Sequence, residues 1–289
     1  MRKAIPLVLL LTLVWGTTWP LFPVAVREVS VWTFRSLSTL GAGVVLLAIA
    51  RLRGESLRVP REHWPTLVAA ALTYLVIWNV ASTYAAVLIP SGQAAILGFT
   101  MPFWGALIAW TFLGQRPGAR VLMALAIGGL GVVLLIVNGI DAYAKAPLGF
   151  ALGLLAAIGW AAGTVILKRK PIPISPLVLT GWQLLVAAVP LLAAAVAFSG
   201  GHWFMPSATS IAVIAYITLV PMALGNVAWF AIVGLLPANI AGLSAVMVPV
   251  VAMISGAIVH GEPLGPVQWV SMFCCAAGVA MALLRPASR

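Results

Sequence analysis

The chain has 289 residues, of which 63% are hydrophobic and 7% charged, and its formal net charge is +11. A soluble domain carries about 25% charged residues, so 16 basic and 5 acidic side chains cannot wet a globule of this length, and the solvent for most of its surface is lipid. The basic residues lie in short segments between apolar runs, not on a polar face or in an RNA-binding motif; they are topogenic charge, and no nucleic-acid partner is expected.

Arg2 and Lys3 precede an apolar run from Ile5 to Val26. The run imitates a signal peptide, yet about 20 residues suffices to span a bilayer and no small-x-small cleavage site follows. Further runs lie at 31–50, 65–87, 92–113 and 119–138 and, after the polar link Asp141–Lys145, at 148–167, 176–198, 208–234, 238–259 and 266–284. Each is near the ~20 residues that cross ~30 Å of hydrocarbon. The pattern predicts an all-α integral membrane protein of ten transmembrane helices. Only Pro90–Ser91–Gly92 and Pro237–Ala238–Asn239 break the third run from the fourth and the eighth from the ninth. Proline removes a donor and clashes with the preceding turn, so each break reads as a tight reversal. With the loops numbered alternately, thirteen Lys and Arg fall on one side and two on the other. That asymmetry predicts cytoplasmic termini and an even number of spans.

The sequence also repeats itself. Asn79–Val80–Ala81, Pro90, Pro102 and Gly114 recur as Asn226–Val227–Ala228, Pro237, Pro249 and Gly261, every position offset by 147. This is an internal duplication, with copies at 1–140 and 146–289. Each copy holds five spans, an odd number, so the second enters the membrane upside down relative to the first. Inverted repeats are a device of secondary transporters, with substrate held near the midplane between the halves. The plainer alternative is that duplication only builds a stable bundle.

Several short stretches carry a resemblance. They are Trp15–Gly16–Thr17–Thr18–Trp19, Phe34–Arg35, Gly128–Gly129–Leu130–Gly131, and the two proline helices Pro102 to Leu113–Gly114–Gln115 and Pro249 to His260–Gly261–Glu262. Over about 5–138 and 148–284 the chain resembles the EamA-type transporters of the drug/metabolite transporter superfamily, and within it is most similar to aromatic amino acid exporters of the YddG kind. Gln115 departs from the Glu that the family often has there; the second copy keeps Glu262. The resemblance implies a bacterial inner-membrane exporter of amino acids or similar small metabolites. Relatives carry sugars, nucleotides and drugs on the same scaffold, so it does not name the substrate.

The residues themselves narrow the chemistry. All five acids, Glu28, Glu55, Glu62, Asp141 and Glu262, fall at span ends or in loops. With no carboxylate at mid-depth, proton coupling through one is disfavoured, and facilitated diffusion of a zwitterion is expected. Arg35 lies about one turn inside the outer end of the second span, where snorkelling to the surface is expected ahead of the alternative, binding of a substrate carboxylate. Asn79 and Asn226 lie deep in the third and eighth spans. Each amide must face the bundle interior, either as an interhelical hydrogen bond or as a substrate contact. Thr83 shares the face of Asn79. Trp15, Trp19, Trp78, Trp160 and Trp229, with Thr164, are expected to wall an apolar pocket suited to an aromatic or large apolar side chain. Trp104 and Trp182 also lie deep, whereas Trp32, Trp64, Trp203 and Trp269 fit the interfacial belt. Pro102 and Pro249 are expected to kink the fourth and ninth spans at mid-depth; with Pro90 and Pro237 they are the candidate gating positions. Gly149, Gly153, Gly159 and Gly163 give small-xxx-small spacing for close helix approach. Cys274 and Cys275 lack metal-type spacing, and no metal or cofactor is expected. HExxH, GxSxG and a buried acid pair are all absent, so the chain is not expected to be an enzyme. The expected partners are an amino acid substrate and the bilayer, with the protein as a monomer; lipid flipping is the competing function.

Overall fold

A computed structural model describes residues 4–114, 116–198, 206–236, 245–261 and 264–283, and among them there is no strand. The helices are α1 (Ala4–Gly16), α2 (Phe22–Ala25), α3 (Val31–Leu52), α4 (Trp64–Ala70), α5 (Ile77–Leu88), α6 (Ser91–Gly98), α7 (Met101–Leu113), α8 (Ala119–Asn138) and α9 (Ile140–Lys145). They continue with α10 (Pro147–Arg169), α11 (Pro176–Phe198), α12 (Ala208–Ile217), α13 (Asn226–Leu235), α14 (Val248–His260) and α15 (Pro266–Leu283). Eight runs among the described residues, from Ala4–Ala25 to Ala208–Leu235, are long and apolar enough to cross a membrane, and Val248–Val259 is a shorter apolar helix. Leu9, Phe112, Val189 and Phe273 point outward, an arrangement that only a hydrocarbon solvent stabilises. Residues 238–244, Pro237, Gln115 and Glu262 lie outside the described residues, as does Trp203.

Several runs are less regular than the sequence suggests. The first breaks after Gly16 and re-forms through a 3₁₀ turn, Trp19–Leu21, and α2. Between α4 and α5 lies a π-helical stretch, Ala71–Val76; between α12 and α13 lies another, Thr218–Gly225. The expected mid-helix kinks at Pro102 and Pro249 need correcting. Each proline stands at the start of a new helix, α7 or α14. A first-turn N–H has no intrahelical partner, so proline costs nothing there, and α6 has already ended at Gly98 before α7 begins. Pro90 follows the extended Ile89 and leads directly into α6. Both α7 and α14 end on a left-handed glycine, Gly114 (φ 65°) and Gly261 (φ 68°), a conformation that a side chain would strain.

Packing is organised by small residues. α3 lies along α11 and α8 along α15, while α10 runs against α5, α6 and α7. On α10, Gly149 faces Leu88 and Ile89, Gly153 faces Leu97, and Gly159 faces Ile77. A β-carbon added at Gly163 would stand 2.5 Å from the Tyr74 Cβ. Gly163→Ala is therefore expected to destabilise the protein by about 1–3 kcal/mol, the usual cost of overpacking. Gly234→Ala, whose added methyl meets nothing within 4 Å, is expected to be neutral or slightly stabilising. Thermal unfolding of the two purified variants compares them directly.

Candidate functional site

The core of the bundle is aromatic. Trp160 on α10 is its keystone: its ring meets Trp78 at 4.9 Å, Tyr74 at 5.1 Å, Trp15 at 5.2 Å and Trp229 at 5.7 Å between centroids. Most of these contacts are edge-to-face, the arrangement favoured by ring quadrupoles. Phe99 closes the cluster against Trp15, Trp19 and Trp78. Gly98 lets the rings converge, since a β-carbon there would sit 3.2 Å from both Trp19 and Trp78.

Inside this cluster lies a cavity of about 40 Å³. That is roughly three water-sized spheres, well short of the ~300 Å³ at which small-molecule pockets begin. Trp15, Trp19, Trp78 and Trp160 wall the cavity, with Phe22 and Phe99 beside them. Its polar lining comes from Thr18, Arg35, Asn79 and Asn226, and from the helix bearing Pro221 and Met222.

Arg35 corrects an expectation. It does not snorkel; it is 2% exposed. Its guanidinium carbon stands 4.3 Å from the Phe22 ring centre and 4.8 Å from that of Phe34. Its Nε donates to Thr83 Oγ1 at 2.5 Å, and Thr83 Oγ1 donates in turn to the Asn79 carbonyl at 2.6 Å. Nη2 is buried without a hydrogen-bond partner. The described acids lie elsewhere: Glu28 accepts from Ser207 N, Glu55 from Ser175 Oγ, and Glu62 and Asp141 sit in helix-end turns. The sequence signal for Arg35 was present, an ionisable residue within a span; its depth was underestimated because the helix break after Gly16 folds Phe22 over it.

The two asparagines are placed alike. Asn79 Nδ2 donates to the Leu75 carbonyl at 2.8 Å, and Asn226 Nδ2 to the Met222 carbonyl at 2.7 Å. A carbonyl acceptor fixes which way each amide is turned. Both Oδ1 atoms are buried and unpartnered. The preceding π stretch aims each asparagine, because widening a turn rotates everything after it. It also exposes the Pro221 carbonyl, which accepts from Trp15 Nε1 at 3.1 Å. Trp15→Phe keeps most of the ring packing but strands that buried acceptor, and is expected to cost about 1–3 kcal/mol of stability, read from thermal unfolding.

Of the residues expected at the site, Trp15, Trp19, Trp78, Asn79, Trp160 and Asn226 meet in the cavity. Thr83 stands behind it, holding Arg35. Trp229 and Thr164 border a smaller hollow on the far side of Trp160, where Thr164 donates to the Trp160 carbonyl. Pro90 lines a separate hollow of about 310 Å³ with Gln93, Asn138 and Gln268. Trp104 donates to Thr100 and lies outside the cavity. Trp182, expected to be deep, packs edge-to-face on Trp64 and donates to the Leu57 carbonyl in the loop after α3. Sequence reasoning did not select Phe22 or Phe99; both fall in uniformly apolar runs.

The model of the EamA-like transporter family matches the chain twice, over residues 2–137 and 147–284. The chain belongs to the EamA-like transporter family. It is a multi-pass membrane transporter and not an enzyme. It is 26% identical to the uncharacterized inner membrane transporter YedA of Escherichia coli K12, covering 94% of this chain and 88% of that one. It is 26% identical to the uncharacterized transporter YvbV of Bacillus subtilis, covering 88% and 83%. A Salmonella typhimurium protein named "Probable amino-acid metabolite efflux pump" is 28% identical over 66% of each chain. A solved structure, titled only as the crystal structure of a protein, superposes with a TM-score of 0.77 over 98% of this chain and 97% of that one at 20% identity, which speaks for the EamA fold alone.

Proposed function

We propose that this EamA transporter exports amino acids with aromatic or large apolar side chains across a bacterial inner membrane. The observation that carries the reading is Arg35, a guanidinium in a tryptophan-walled cavity with no described carboxylate against it. A substrate carboxylate supplies the missing charge. The buried Oδ1 atoms of Asn79 and Asn226 are free acceptors for an ammonium group, and the ring faces attract the same cation. The Trp walls take an apolar side chain. The name of the Salmonella relative points the same way. The finer specificity, of the YddG kind, rests on the aromatic lining.

The mechanism fits alternating access between two inverted halves, 1–140 and 146–289. Support comes from features repeated 147 residues apart: the π stretches, the asparagine hydrogen bonds and the left-handed glycines. The small cavity is then a contracted form, which must widen several-fold to admit substrate. Pro90, Pro237, Pro102 and Pro249 remain the proposed gating positions, the last two at helix starts where two rigid pieces meet. Both termini are cytoplasmic in this scheme, and the protein acts as a monomer.

Transport runs down the substrate's own gradient, since none of the described acids lies in the cavity. Counterflow of labelled amino acids in proteoliposomes tests the function. Saturable, stereoselective exchange is expected; flipping of lipid headgroups in its place would reassign the protein. An imposed pH gradient with equal substrate on both sides is expected to drive no accumulation. Cysteines at positions 60 and 170 are expected to label from the same side, and labelling from opposite sides would break the inverted arrangement.

A further inference from the structure

We propose that the tryptophan-walled cavity binds a small monovalent inorganic anion, of halide size, at Arg35, and that substrate carboxylate displaces it. The displacement rests on the reading of this cavity as a carboxylate site; the anion site stands on the geometry around Arg35.

The reasoning begins with charge. Arg35 is buried between two phenylalanine rings and carries its positive charge inside the bundle. Rings facing a cation offset part of its lost hydration, but they bring no countercharge. Thr83 satisfies Nε with a neutral oxygen. Nη2 is left with no partner while its residue lines the cavity. A cation buried without an opposite charge is the costly case, and the described acids are committed at helix ends or in loops.

Size then selects the ligand. A cavity of about 40 Å³ excludes an amino acid but admits a halide or a few waters. Trp160 Nε1, also buried and unpartnered on a ring that lines the cavity, is a second free donor. The Oδ1 atoms of Asn79 and Asn226 are acceptors; they disfavour a large, multiply charged oxyanion that would press against them, and leave room for one compact charge. A monovalent anion neutralises the guanidinium in this contracted form. A zwitterion arriving from an open form replaces it with its own carboxylate and offers its ammonium to those same amide oxygens. At Arg35 an organic carboxylate thus takes the place of an inorganic anion when substrate binds.

The test uses the full chain, purified in detergent and in proteoliposomes. Bromide is titrated against isethionate at constant ionic strength while tryptophan fluorescence is followed, since four indoles wall the site. Saturable quenching is expected for the native protein and for Arg35→Lys, with at least a tenfold weaker response for Arg35→Gln; size-exclusion profiles confirm that each variant is folded. Equilibrium dialysis with labelled chloride should give the same order. Quenching that is linear in bromide, or identical in Arg35→Gln, overturns the site. A saturating amino acid is expected to weaken bromide binding several-fold. Amino-acid counterflow that proceeds unchanged when chloride is replaced by isethionate overturns the displacement and leaves the amino-acid reading intact. Saturable halide binding in a protein that exchanges no amino acid does the reverse.

Discussion

Arg35→Gln is expected to weaken amino-acid transport at least tenfold while leaving the protein at least as heat-stable as the native chain. Hydrogen bonds to charged groups are worth about 1.5–3 kcal/mol, so losing the guanidinium weakens apparent affinity by roughly 10- to 150-fold. Stability moves the other way. Removing a buried charge that lacks a countercharge relieves its desolvation, and a glutamine amide still reaches toward Thr83. Arg35→Lys keeps the charge without the planar fork and should recover part of the affinity. Counterflow kinetics and thermal unfolding on the same preparations separate the roles. A structural Arg35 predicts the opposite pair of results, transport retained and stability lost.

Trp160→Ala is expected to have the largest effect on the fold. The ring bridges Trp15, Tyr74, Trp78 and Trp229 and is 3% exposed. Truncating a buried tryptophan to alanine costs about 3–5 kcal/mol, which rivals the whole stability of a marginal protein, about 5–15 kcal/mol. Trp160→Phe keeps a ring and should cost less than half as much. It also opens the cavity, so transport should shift toward bulkier side chains. Thermal unfolding reads the first effect, and counterflow with tryptophan against alanine reads the second. Equal stability of the Ala and Phe variants would mean that this ring does not hold the core.

Much of the arrangement was legible in the sequence because it follows from periodic chemistry. Runs of about 20 apolar residues set the crossings, and the 147-residue offset pairs Asn79 with Asn226 in the sequence. Both asparagines and four of the five selected tryptophans do meet in the cavity. What stayed hidden depends on local departures from the ideal helix. The π stretches leave no mark in an apolar sequence, since Ala71–Val76 differs little in kind from its neighbours. Proline at 102 looks like a kink when the run around it is continuous, and becomes a helix start only once α6 is known to end at Gly98. Arg35 was placed by counting residues from the end of its own helix, whereas its burial is decided by Phe22, which a break in a different helix brings over it.

The widened turns carry a record of ancestry. Ala71–Val76 and the first six residues of Thr218–Gly225 occupy the same positions 147 residues apart, each just ahead of its asparagine. A turn of this kind arises when one residue is inserted into an otherwise regular helix. Two separate insertions at matching sites require two coincident accidents; one insertion in a shorter parent gene, later doubled, requires none. By that parsimony the parent segment already carried the deformation before it was doubled.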